Sequence, residues 1–333
     1  MATQDKPRLA VVGVGDFYRA ISPGIDLVFN TVVKVDRPDY EPRPGALREL
    51  VGSYSPDAIM LLTPNRVHAE QVEELAELRI PTFVEKPLVT TSEALERVVK
   101  SVEVNPALYC SDFYVDVWGV PLLRWLGMKT PTCLGPRTEI PEKDASAWTN
   151  GLSEIGTIKG VEATLLEGTG PYASFAGREW LWDSTHGGVL WDMGYHHLAM
   201  WFTVINEPLD VLSVERFTIA DAPPNASETY GAVQMRSSSG IEFNLRVGKY
   251  VETGDDRAFR IIGSKGEISM DFVEPSRLVL NGNVEAPIAR FLGSRLDMVA
   301  AAFREYVESN PTAPYGLDAG VKSVNLMLDI RSF

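Results

Sequence analysis

Two cysteines, Cys110 and Cys133, are all that this chain of 333 residues holds. A disulfide scaffold or a zinc ribbon needs more, so the composition fits a reducing compartment. Positive charge is short as well: 31 Lys and Arg stand against 45 Asp and Glu, a formal charge of −14. Charge-driven binding to nucleic acid or to an anionic membrane surface is thereby disfavoured, while a local basic pocket for one small anion stays open. No window supplies the ~20 consecutive apolar residues of a membrane span. The opening MATQDKPRLA is polar and lacks the hydrophobic region of a secretory signal. No internal repeat, low-complexity tract or DNA-binding motif occurs. A soluble, cytoplasmic protein with no nucleic-acid or membrane partner is expected.

What is present is an ordinary globular composition, with 45% hydrophobic and 23% charged residues. At ~150 residues per domain the length suggests two domains. The first hundred residues alternate apolar runs with helical patterns. Strands are expected at Arg8–Val12, Thr31–Val35, Ala58–Leu62 and Pro81–Val84. Helices are expected over Asn65–Leu78 and after a cap at Thr91 or Ser92. That alternation predicts an α/β, doubly wound parallel sheet. Beyond about Tyr114 strands dominate: Ile158–Leu166, Val211–Ile219, Tyr230–Met235, Ile241–Val247, Phe259–Ile262 and Glu267–Phe272, with hairpin turns at Ser237–Gly240 and Gly263–Gly266. Helices are expected near Gly188–Ile205, Ser294–Glu308 and Asp318–Ile330. The expected division is 1–120 for the parallel domain and 121–310 for an α+β domain with a large, mainly antiparallel open sheet. A C-terminal helix in 311–333 would return to the first domain.

Three motifs fall at strand ends, where open α/β sheets place their ligands. Gly13-Val14-Gly15 follows the first strand and suits the approach of a pyrophosphate to a helix N-terminus, although Tyr18 holds the third position of G-x-G-x-x-G. A plain strand–turn–helix accounts for these glycines as well. Asp36 closes the second strand, where an acid accepts ribose hydroxyls. The adjacent Arg37 suits a 2′-phosphate instead, and either is equally a solvated turn charge. Thr63-Pro64-Asn65 and Glu85-Lys86-Pro87 end two further strands. A lysine between a glutamate and a proline at such an end is more specific than a surface lysine, although a structural Glu–Lys pair remains open.

The second half supplies Gly187-Gly188-Val189-Leu190-Trp191-Asp192-Met193-Gly194-Tyr195-His196-His197. On an α-helix, Asp192 and His196 share a face, and a carboxylate beside an imidazole suits general acid/base work. Two competing readings are a satisfied core Asp–His pair and a metal site of Asp192, His196 and His186. The metal reading is thin without further ligands, and no metal is expected. Among the tryptophans, Trp182 is singled out for stacking on a sugar ring, with Tyr172 and His186 beside it. His68, on the helix after Thr63-Pro64-Asn65, reads as capping or packing rather than catalytic.

Taken together, GVGDF at 13–17, TPNRVHAE at 63–70, VEKPL at 84–88, EIGTIKGVEATLLEGTG at 154–170, GGVLWDMGYHH at 187–197 and IIGSKGEISMDF at 261–272 resemble the Gfo/Idh/MocA oxidoreductases, the family of glucose–fructose oxidoreductase and inositol dehydrogenase. The resemblance covers most of the chain in order. It implies a Rossmann domain holding NAD or NADP, with Asp36 tipping the choice to NAD. Gly13, Gly15, Asp16, Phe17, Asp36 and Arg37 would lie along the cofactor, as would Thr63, Pro64, Asn65, His68, Glu85 and Lys86. Lys86, Asp192 and His196 would be the catalytic trio, and would touch substrate together with Tyr172, Trp182 and His186. The peptide before Pro87 is expected to be cis. The sheet of the second domain would build a homo-oligomer, a dimer or tetramer.

The chain also departs from the pattern. The G-x-G-D form with Pro23 resembles members that act on keto sugars. Ser111 to Asp116 lacks the arginine usual after the fifth strand, Ala199 stands where many members have an acid, and residues 127–150 form a longer insertion that would cover the site. The activity implied is hydride transfer between nicotinamide and a secondary alcohol or ketone of a sugar or cyclitol. The alternatives are a redox-neutral NAD-dependent glycosidase and a non-catalytic nucleotide-responsive regulator.

Overall fold

The structure, a computed structural model, describes residues 6–36, 44–128, 138–139, 151–168, 187–220, 222, 226–249, 251, 255–272, 277–284, 290–291 and 296–333. They fall into two compact units, one within Met1–Val117, Pro131–Thr138 and Phe291–Val324, the other within Trp118–Thr130, Glu139–Arg290 and Asn325–Phe333.

In the first unit the chain runs β1 (Arg8–Val12), α1 (Asp16–Val28), β2 (Asn30–Val35), α2 (Ala46–Tyr54), β3 (Ala58–Leu61), α3 (His68–Ala76), β4 (Thr82–Val84), α4 (Ser92–Val104) and β5 (Leu108–Cys110). All five strands are parallel, in the order β2-β1-β3-β4-β5. Leu9 to Val12 and Ala58 to Leu61 are wholly buried, because crossover helices leave a parallel strand no solvent face and select continuous apolar runs. The expected cap of α4 forms: the Thr91 hydroxyl accepts the Ala94 N–H at 3.2 Å. Strand order reverses at β1, which lies between β2 and β3. That opens a crevice beyond the carboxyl ends of β1 and β3.

The second unit begins with α5 (Val120–Trp125), and α6 (Gly151–Ile155) follows. Its main sheet comprises β7 (Ile158–Glu167), β8 (Leu209–Phe217), β9 (Tyr230–Ser237), β10 (Glu242–Lys249), β11 (Asp256–Gly263), β12 (Glu267–Asp271), β13 (Arg277–Leu280) and β14 (Asn283–Val284). A separate two-stranded sheet pairs β6 (Thr138–Glu139) with β15 (Arg290–Phe291). The eight-stranded order is β14-β13-β12-β11-β7-β10-β9-β8, antiparallel throughout except between β7 and β10. Phe243, Leu245 and Val247 alternate with Glu242, Asn244 and Arg246, so β10 buries one face and solvates the other. Against the buried face lies α7 (Tyr195–Val204), whose Trp201 stacks on Phe243 at 5.0 Å between centroids. Burial of each such ring contributes about 2–3 kcal/mol.

Two helices close the chain, α8 (Asp297–Glu308) and α9 (Leu317–Ser332). α8 belongs to the first unit and packs on α1, where Gly24 permits the approach: a Cβ there would lie 2.5 Å from the Asp297 Cα. Phe303 and Tyr306 of α8 meet Phe83 of β4 and Tyr109 of β5 in an aromatic cluster. Among the described residues no helix is long and apolar enough to cross a membrane.

Candidate active site

The glycine turn after β1 is built by backbone crowding on one side and open space on the other. Gly13 sits at φ +96°, and a Cβ there would lie 2.5 Å from the Leu62 carbonyl oxygen, so the residue is restricted to glycine by both conformation and contact. Around Gly15, by contrast, a Cβ would meet nothing within 4 Å. Gly15 is also the N-cap of α1 and supplies no side-chain cap to it. Asp36 closes the turn from β2, its Oδ1 accepting the Val14 N–H at 3.3 Å. Tyr18, in the third glycine position, is buried, with the Lys34 ammonium 5.3 Å from its ring centre. Packing against β2 thus replaces the close helix–strand approach that a glycine would give. A glycine turn with open space at Gly15, at a helix N-terminus and with a carboxylate at the neighbouring strand end, fits a dinucleotide. Asp16 lies exposed in the first turn, paired with Arg19 at 2.7 Å, and Phe17 packs on Phe113 at 5.8 Å between centroids.

The two next strand ends are tied together. Thr63, Pro64 and Asn65 follow β3, and Glu85 and Lys86 follow β4, both half-buried. The Lys86–Pro87 peptide is cis, as the resemblance implied. The Thr63 hydroxyl donates to Gln71 Oε1 at 2.6 Å. His68, wholly buried at the start of α3, places Nε2 2.8 Å from the Thr63 carbonyl oxygen. Its Nδ1 lies 3.0 and 3.2 Å from those of Leu88 and Pro87. Burial pushes this imidazole below its ordinary pKa, against the three carbonyls, which pull it up.

After β5, in place of the missing arginine, stands a buried carboxyl. Asp116 lies on a π-helical turn, Tyr114–Trp118. It accepts from the Tyr315 hydroxyl at 3.0 Å, and from the Ser111 hydroxyl and the Asp112 N–H at 3.2 Å each. Burial, followed by the adjacent Asp112 carboxylate, pushes its pKa up to about 7. Burial likewise pushes up the Cys110 thiol, which makes it a poor nucleophile.

In the second unit Asp192 lies on another π-helical turn, Leu190–Gly194, with α7 beginning at Tyr195. The helix expected near Gly188–Ile205 thus forms, but its first part is π-helical, so ideal α spacing does not describe the step from Asp192 to His196. Such turns recur at functional sites because they re-aim side chains. The turn is seated by Glu228, whose carboxylate accepts the Leu190 N–H at 3.1 Å, and by Gly188 at φ +96°. Gly194 lets it approach β10, since a Cβ there would lie 3.3 Å from Leu245. The Asp192 carboxylate pairs with Lys249 at the end of β10, Nζ to Oδ2 2.8 Å. Only 21% of the aspartate side chain and 11% of the lysine side chain are exposed. His196 is buried. His197, also buried, sets Nε2 2.9 Å from the Thr164 carbonyl oxygen of β7.

Arg37, Tyr172, Trp182 and His186 lie outside the described residues. The expected cofactor residues that are described, from Gly13 to Lys86, come together at neighbouring strand ends of the first unit. Asp192 and His196 lie on consecutive turns of the second. Lys249 and Asp116 are additions. Lys249 closes an alternating strand (E-F-N-L-R-V-G-K) and carries no motif, so nothing in the sequence marks it.

Comparison with known proteins agrees with this geometry. Residues 4–113 match the family model described as oxidoreductase family, NAD-binding Rossmann fold. Residues 153–269 match the GFO/IDH/MocA C-terminal domain. An inositol 2-dehydrogenase of Rhizobium meliloti (strain 1021) is 23% identical over 288 residues, 80% of this chain and 78% of that one. Two solved structures share the fold. An inositol dehydrogenase homologue from Azotobacter vinelandii, complexed with NADH and myo-inositol, has a TM-score of 0.68 at 17% identity and covers 97% of this chain and 94% of its own. A 3-ketoreductase from Actinomadura kijaniata, in complex with NADP and TDP-benzene, has a TM-score of 0.67 at 15% identity, covering 98% of each chain.

Proposed function

This chain belongs to the Gfo/Idh/MocA oxidoreductase family, and from that premise we propose that it transfers a hydride between a nicotinamide cofactor and a secondary alcohol or ketone of a sugar or cyclitol. The observation that carries the reading is the turn after β1: a crowded Gly13, an open Gly15 at an uncapped helix start, and Asp36 bonded across it. The cofactor, when bound, supplies or accepts the hydride. Asp36 favours NAD, because a carboxylate at that strand end suits free ribose hydroxyls and repels a 2′-phosphate. The inositol dehydrogenase and ketoreductase likenesses support a polyol or keto sugar as substrate.

In this reading His196 exchanges the proton of the substrate hydroxyl. Asp192, paired with Lys249, orients and charge-balances the imidazole. Lys86 hydrogen-bonds the same substrate oxygen and stabilises alkoxide charge as it develops. Residues 1–120 serve the cofactor and 121–310 the substrate, and the solvated face of the eight-stranded sheet builds a homo-oligomer. The test follows nicotinamide absorbance with NADH and NADPH against a panel of keto sugars and inososes. Turnover that disappears in Lys86→Ala, with cofactor affinity kept within a few-fold, is expected. Unchanged turnover in that variant contradicts the assignment.

A further inference from the structure

The cluster that packing and catalysis leave unexplained is the imidazole of His68. A buried ring that only filled space would need no polar partner, yet both nitrogens of His68 face main-chain oxygens. Those oxygens belong to two different loops: Thr63 beyond β3 at 2.8 Å, and Leu88 and Pro87 beyond β4 at 3.0 and 3.2 Å. Carbonyl oxygens only accept, so each contact asks the ring for an N–H. The same helix takes a second hold on Thr63 through its hydroxyl, which donates to Gln71. The two tied loops carry Thr63-Pro64-Asn65 and Glu85-Lys86, and they are neighbours in the sheet order.

We propose that His68 is a positioning residue for the dinucleotide site: seated between the loop after β3 and the loop after β4, bonded to one and in contact with the other, it fixes the separation at which Asn65 and Lys86 are presented. The inference rests on the reading of this crevice as the dinucleotide site. A neutral imidazole carries one N–H. It therefore donates to one loop and turns a lone pair to the carbonyl of the other, so the ring is bonded on one side and sets the closest approach of the second. Loss of the ring frees the two loops to change their separation; His68 itself, expected among the cofactor residues, is wholly buried, so its effect is exerted through them. The expected signature is weaker dinucleotide binding by protein that is otherwise folded.

The experiment is a fluorescence titration of the whole chain with NADH and with NADPH, comparing wild type, His68→Phe and His68→Gln, with circular dichroism and thermal melts alongside. His68→Phe keeps a buried ring and removes both polar contacts, while His68→Gln retains an N–H donor. The expected result is full binding stoichiometry in both variants, about ten-fold weaker affinity in His68→Phe, and partial recovery in His68→Gln. A merely structural role lowers stoichiometry with the folded fraction and leaves the affinity of the remainder unchanged, which overturns the proposal. If His68→Phe does not fold, His68→Gln at wild-type stability and a two- to five-fold affinity loss supports it, and equal affinity overturns it. Wild type that binds neither dinucleotide overturns the reading of the crevice, and the proposal with it. Binding by wild type with no change in the variants overturns the proposal alone.

Discussion

The two units place chemistry by different means. In the first, the candidate groups sit on loops at neighbouring ends of parallel strands, and most of the positioning is done by backbone: Gly13 against the Leu62 carbonyl, Val14 on Asp36, His68 on three carbonyls. In the second, Asp192 is displayed from a π-helical turn seated on a mainly antiparallel sheet, and its carboxylate pairs with Lys249, 57 residues away in sequence. Backbone-positioned sites tolerate little change in chain geometry. A charge-positioned site is sensitive to losing one partner. Substitutions in the two units should therefore fail differently.

The largest expected effect is on chemistry. Lys86→Ala should lower turnover by about 10²–10⁴-fold while leaving dinucleotide affinity within a few-fold, measured by steady-state kinetics beside a binding titration. Next comes stability against pH. Asp116 has a folded pKa raised to about 7 from an ordinary 3.8. The folded state thus prefers the protonated form, and the stability this lends is full below pH 4 and lost as pH rises through 7. Chemical denaturation of wild type and Asp116→Asn from pH 4 to 8 should show a difference on the order of a few kcal/mol, accruing over that window; parallel curves would remove Asp116 from the account. His68 runs the opposite way. With its pKa lowered by burial, its stabilising contribution is present above pH 6.5 and lost as pH falls below.

Lys249→Met takes from the Asp192 carboxylate its ion pair with the lysine. At 11% and 21% exposure the pair is partly screened, so a cost of about 2 kcal/mol is expected rather than the full penalty for a buried charge. Turnover should fall about ten-fold in wild type and little further in an Asp192→Asn background, because both substitutions act on one carboxylate. Additive losses would mean that Lys249 does not work through Asp192. The smallest pair of effects sharpens the comparison most. Gly13→Ala should destabilise by about 1–3 kcal/mol through strain and the Leu62 clash. Gly15→Ala, in open space, should change stability by less than about 0.5 kcal/mol and weaken dinucleotide binding instead.

Much of the first unit was legible because its signals are local. Arg8–Val12 is the same five residues in sequence and structure, the Thr91 cap forms, and each motif lies directly after its strand. The second sheet was legible where alternation is clean, as in β9 and β10 with the Ser237–Gly240 turn between them, and not at β13, whose four residues are too few to show a period. The site was half legible. Asp192 and His196 stood out by motif, whereas the π-helical turn beneath Asp192 has no residue signature. Lys249 is an ordinary strand-end lysine until the fold brings it to a carboxylate. Asp116 was read as a missing arginine, because burial of a carboxyl depends on Tyr315, nearly two hundred residues on.

Native mass spectrometry of the intact chain mixed with NADH and with NADPH tests the central claim most directly. The account predicts one dinucleotide per chain, with NADH preferred, and loss of that preference in Asp36→Ala. A chain that retains neither dinucleotide at micromolar concentration would contradict it.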